Sequence, residues 1–126
     1  MHFTMAATVC LSLIVAFLRN GQQVSNFETR CGWFSNPTPA NIWLYDRDDQ
    51  WIIGMQGGYQ LEGDWDWPAF KPRQWIRTNV ANYGYGCACL VVRVNKETRE
   101  VVEIKNTRAR PLSACRKDRA LKKWKL

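Results

Sequence analysis

The sequence holds a single histidine, His2, and that scarcity removes most of the acid–base chemistry available near neutral pH. A Ser-His or Cys-His nucleophile, or a zinc site built on histidine, would need such a residue inside the domain, and none follows position 2. No Cys-x-x-Cys pair occurs, so a thioredoxin-like redox motif is missing. No apolar run reaches the roughly 20 residues that span a bilayer. The longest, MAATVCLSLIVAFL at residues 5–18, has instead the length of a signal-peptide core. Internal repeats are lacking. So is any alternation of strand and helix patterns, which argues against a parallel sheet.

Among what is present, tryptophan stands out: seven in 126 residues, a length that suits one domain. The net charge of +7 is concentrated at one end. Residues 107–126 carry eight basic side chains against Asp118 alone, whereas residues 22–106 carry nine basic and ten acidic ones. The molecule is therefore dipolar, a property that bears on steering partners more than on fold. Cys10 lies in the apolar run. Loss of that run leaves Cys31, Cys87, Cys89 and Cys115, an even number that suits an exported, disulfide-bonded domain. Residues 1–21 thus read as a signal-peptide-like segment, 22–29 as a linker and 30–126 as one β domain. The competing reading of the first segment is a buried N-terminal helix or strand, since Arg19 follows the run and no Ala-x-Ala site is present.

Along the domain, CGWFSNPTPAN (31–41) is rich in turn formers, and its two prolines hold the backbone extended or turned. NIWLYD (41–46) and QWIIGMQ (50–56) predict a hairpin about the turn DRDD. GGYQLEGDWDWPAFKP (57–72) is a long loop, and QWIRT (74–78) a short strand. CACLVVRV (87–94) and VVEIKN (101–106) form a second hairpin. PLSACRKDRALKKW (111–124) predicts a helix with Ser113 as N-cap. The expected fold class is mainly β: a small antiparallel β-barrel or curled sheet, a short C-terminal helix and two disulfides.

Cys87 and Cys89 share one face of a strand, because residues i and i+2 point the same way. Bridging each other would strain a disulfide, so each is expected to reach a different partner, Cys31 or Cys115. Cys31 is free to take either Cys87 or Cys89. A Cys₄ zinc site is the alternative, but one Cys-x-Cys with two isolated cysteines departs from the paired knuckles such sites use.

Candidate chemistry is sparse. Asp64 and Asp66 alternate with Trp65 and Trp67 in GDWDWP, as acids and aromatics do around a sugar in a glycosidase, or as they do on a plain surface turn. Asp46, Asp48 and Asp49 contain an Asp-x-Asp but lack the glycine and distant glutamate of a calcium loop, so a hairpin turn is expected. Trp51, Tyr59, Trp65, Trp67 and Trp75 are either core or an aromatic binding platform, with Trp65 and Trp67 the ones expected at the surface. Asp64, Asp66 and Tyr59 join them as candidate binding residues. The basic tail is either a solvated face or a contact for anionic lipid, nucleic acid or an acidic protein.

Three stretches, CGWFSNPTPANIWLYDRDDQWIIGMQGGYQLEG, TNVANYGYGCACLVVRV and PLSACRKDRAL, carry a resemblance. Together they resemble the small exported bacterial proteins grouped as domain-of-unknown-function family four-zero-eight-seven, over roughly Thr29 to Leu121. The resemblance implies an exported bacterial protein with a signal peptide and cysteines in these places. It implies no activity, so no catalytic residue is carried over. The expectation is a periplasmic or secreted binding protein that is not an enzyme. It needs no cofactor or metal, and its partner is a protein of the cell envelope, as for an inhibitor or immunity protein of an envelope enzyme. A glycan- or peptidoglycan-binding module is the alternative, followed by a hydrolase using Asp64 or Asp66. Nucleic acid is not expected as a partner, nor is a stable membrane span.

Overall fold

The computed structural model describes residues 23–126; the expected signal segment, with His2 and Cys10, lies outside the described residues. Six strands, β1 (Glu28–Thr38), β2 (Asn41–Asp46), β3 (Gln50–Gly54), β4 (Trp75–Arg77), β5 (Gly84–Asn95) and β6 (Glu100–Arg110), are followed by a short helix α1 (Leu112–Arg116). The sheet order is β1-β2-β3-β6-β5-β4, and β1 also pairs with β5, so five strands close a ring with β4 outside it. All pairings are antiparallel except the closing one, where β3 meets β6 at a single parallel pair, Ile52 with Glu100. There the Ile52 N–H donates to the Arg99 carbonyl at 2.8 Å, and the Tyr59 hydroxyl donates to the Val101 carbonyl at 2.7 Å. The expected barrel or curled sheet is thus realised as a ring with a thin seam, short of a complete barrel.

β5 explains the layering. Its even-numbered residues Ala88, Leu90, Val92 and Val94 point into the ring and join Phe34, Leu44, Trp51, Ile53 and Val101. Each fully buried aliphatic or aromatic side chain here stabilises the fold by about 1.5–3 kcal/mol. Its odd-numbered face carries Cys87, which meets Trp33, Cys115 and Leu121 under the C-terminal segment, with Tyr45, Tyr85 and Trp124 alongside. GYGCACLVV is almost wholly buried because both faces of this strand are covered.

The cross-strand register decides the disulfides. Cys31 on β1 stands directly opposite Cys89, whereas Cys87 stands opposite Trp33. Cys31 accordingly bonds Cys89, with Cα atoms 4.0 Å apart, and Cys87 bonds Cys115 of α1 at 5.7 Å. With both pairs oxidised, none of these four sulfurs is a thiolate free to bind zinc.

Three local expectations are refined. The turn-rich stretch 31–38 is strand: β1 runs through Asn36-Pro37, and the register with β2 shifts between Ser35 and Thr38. A proline, with no N–H to donate, is tolerated at such an irregularity. The Asn36 amide secures the bend by donating to the Thr38 and Asn41 carbonyls, at 3.0 and 2.7 Å. The C-terminal helix is five residues long with Pro111, not Ser113, at its N-cap, and a 3₁₀ turn (Arg119–Leu121) follows, capped by Asp118. Residues 22–29, expected as a linker, include the first two residues of β1 and a bridge from Val24 to Asn95.

At one end of the ring, the turn after β2 surrounds a buried ion pair. Arg30 donates to Asp46 at 2.7 Å, to Glu28 at 2.9 Å and to Asp48 at 3.0 Å, and its guanidinium lies 4.1 Å from the Trp51 ring centre. Burial opposes the Arg30 cation, but these carboxylates outweigh it and hold its pKa above the ordinary value. Asp46 also accepts the backbone N–H groups of Asp48 and Asp49, and Asp49 pairs with Arg99. All three acids that resembled a calcium loop are therefore engaged in turn and ion-pair contacts.

Candidate functional site

The loop between β3 and β4 covers the opposite end of the ring. Trp65 and Trp67 are two residues apart on this loop and project together. Their rings stack at 5.6 Å with planes 14° apart. Phe34, fully buried on β1, meets both edge-on, at 6.4 Å from Trp65 and 5.2 Å from Trp67. Trp65 is half-buried, while Trp67 is 45% exposed. The Thr107 hydroxyl on β6 donates to the Asp66 carbonyl at 2.8 Å and ties the loop down. The loop is long, yet core aromatics and a strand hold its centre.

Trp67 is a ridge between two hollows. The larger, about 1000 Å³, has an apolar floor of Phe70, Trp75 and Tyr83, with Lys71 and Arg77 at its rim. The Trp75 indole donates to the Asn82 carbonyl at 2.9 Å, which fixes the far wall. The smaller hollow, about 430 Å³, lies between Asp64, Trp65 and Asp66 on the loop and Lys105, Asn106 and Thr107 on β6. Asp64 and Asp66 are both exposed. The water-excluded surroundings that a glycosidase builds around its acid are not formed at either carboxylate.

Of the five candidate binding residues, the structure brings four together: Asp64, Trp65, Asp66 and Trp67 line the smaller hollow. Tyr59 lines neither. It is a seam residue, held to Val101, and burial pushes its phenol above 10.0, with the Glu100 and Glu62 carboxylates adding to the effect.

Phe70, Tyr83, Lys71 and Arg77 were not singled out from the sequence, although a signal for them was present in YGYG. A side chain at Gly84 would run into the Ile76 carbonyl on β4, so only glycine lets β4 approach. A Cβ at Gly86 would fall 2.6 Å from the Phe70 ring and from the Gln74 carbonyl. The two glycines are therefore the floor on which β4 and Phe70 rest, and the larger hollow depends on them.

A family model described as "Protein of unknown function (DUF4087)" matches residues 25–122. No curated protein and no solved structure matches the chain.

Proposed function

The chain belongs to the DUF4087 family of proteins of unknown function, and from that premise we propose that it is an exported binding protein, not an enzyme, that captures a protein of the cell envelope at the Trp67 ridge. The observation that carries this reading is a large aromatic side chain, 45% exposed, stacked on Trp65 and backed by a fully buried Phe34. Interfaces draw most of their affinity from a few such preordered aromatic anchors ringed by polar groups. Here the apolar floor of the larger hollow takes an apolar side chain of the partner, and Lys71 and Arg77 supply a cationic rim. The two disulfides suit an oxidising compartment. An inhibitor or immunity role toward an envelope enzyme accords with a rigid anchor presented on a loop.

The glycan reading draws on the smaller hollow, where Asp64, Asp66 and Asn106 surround the tryptophan pair. It is second because the acids and the larger apolar floor lie on different sides of Trp67.

The test is affinity capture from an envelope fraction with the wild-type domain and Trp67→Ala, plus sedimentation with purified peptidoglycan. A specific protein retained by the wild type and lost with Trp67→Ala, at unchanged melting temperature, is the expected outcome. Capture indifferent to Trp67→Ala would overturn the ridge as the site. Sedimentation with peptidoglycan that Trp67→Ala abolishes would establish the glycan reading instead.

A further inference from the structure

The C-terminal basic run, which the ridge leaves unused, is not a free tail. Cys115 is bonded to Cys87 on the outer face of β5, the Trp124 indole donates to the Asp46 carbonyl at 2.7 Å, and Lys123 donates to the Arg47 carbonyl at 2.7 Å. The segment therefore crosses the outside of the sheet from β5 to the end of β2. Arg108 and Arg110 on β6 pair with Cys89 and Cys87, and paired residues of an antiparallel ladder point the same way. Both arginines thus share the face that α1 covers. Cations from β6, from α1, from the 3₁₀ turn and from the terminal residues are assembled on one side. None of these eight takes part in an ion pair among the described residues.

We infer that this face docks on the surface of an anionic phospholipid bilayer. Charge alone would suit any polyanion. Two further features favour a bilayer. The cations come from separate elements, β6, α1, the 3₁₀ turn and the residues after it, and not from one strand or helix. The exposed Lys125 adjoins Leu126, which is 46% exposed, while Trp124 is half-buried against Tyr45 and holds the segment in place. Lysines beside an exposed aliphatic residue are the composition of a contact with an anionic membrane surface. None of these basic residues lines either hollow beside Trp67, so the arrangement is independent of that ridge.

The test is co-sedimentation with vesicles of roughly one-third phosphatidylglycerol in phosphatidylcholine, against pure phosphatidylcholine, at low and high salt. Binding to the anionic vesicles alone, lost at high salt, is expected. Lys122→Gln/Lys125→Gln, at two exposed residues that substitution leaves with their backbone contacts intact, should weaken it by roughly fivefold for each charge removed. Leu126→Ser should weaken vesicle binding and leave binding to soluble inorganic polyphosphate unchanged. Trp67→Ala should not alter it. No sedimentation with anionic vesicles at low salt would overturn the inference. So would Leu126→Ser matching the wild type while polyphosphate displaces the protein at equal phosphate, since the site would then be for a soluble polyanion.

Discussion

Inside the ring, nine buried apolar side chains meet with no covalent link between them. Outside it, among the described residues, a smaller cluster of Trp33, Cys87, Cys115 and Leu121 is buried, and a disulfide runs through the group. The inner cluster has area enough for the hydrophobic effect to hold it. The outer one is a five-residue helix and a 3₁₀ turn laid on a sheet, too short to be stable as isolated helix. Its position depends on Cys87–Cys115 and on single hydrogen bonds from Trp124 and Lys123. The two layers share β5, so the difference lies in what covers each face of one strand. A cross-link matters most where little apolar area is available.

That contrast is open to test, beginning with its inner half. Phe34→Ala removes the ring that both fills the interior and supports the Trp65–Trp67 stack, and should cost about 3–5 kcal/mol. Urea unfolding would read this as a lower midpoint. A loss of unfolding free energy of less than about 1 kcal/mol would mean the loop, not the core, carries Phe34.

The outer half is probed by Cys87→Ser/Cys115→Ser. With the cysteines 28 positions apart in the sequence, chain-entropy reasoning gives a loss of about 3–4 kcal/mol. Hydrogen exchange should show amides of α1 and Arg119–Leu121 losing protection well before those of β5. Uniform loss across both layers would show them to be one cooperative unit.

The smallest expected effect concerns two phenols, one in each region. Burial raises Tyr45, under the C-terminal segment; burial, then the Glu100 and Glu62 carboxylates, raise Tyr59 at the seam. A phenol whose folded pKa exceeds its unfolded value contributes stability that is intact below the ordinary 10.0 and is lost as pH climbs through the folded value. Stability should therefore fall above pH 10.0. Tyr59→Phe should cost about 1 kcal/mol at neutral pH through the lost Val101 hydrogen bond, while flattening the alkaline decline. An unchanged alkaline slope in that variant would remove Tyr59 from the explanation.

β2, β3, β5 and β6 were legible because strand periodicity and flanking turn residues agree there. β1 was not, because Asn36-Pro37 reads locally as a turn, and only pairing on both sides, to β2 and β5, holds that stretch extended. The tryptophan pair was legible as a surface candidate from its alternation with Asp64 and Asp66. The larger hollow was not, because its floor comes from Phe70, Trp75 and Tyr83, which meet only when Gly84 and Gly86 admit β4.

From the sequence alone followed a mainly β domain, four cysteines that cross-link in two pairs and charge gathered at the C-terminus. Each of these is a matter of local pattern or of counting. Which cysteine Cys31 takes, where the ring closes and which aromatics share a wall were decided by tertiary structure. All three depend on register and on close approach between residues distant in the chain, and no local preference encodes either.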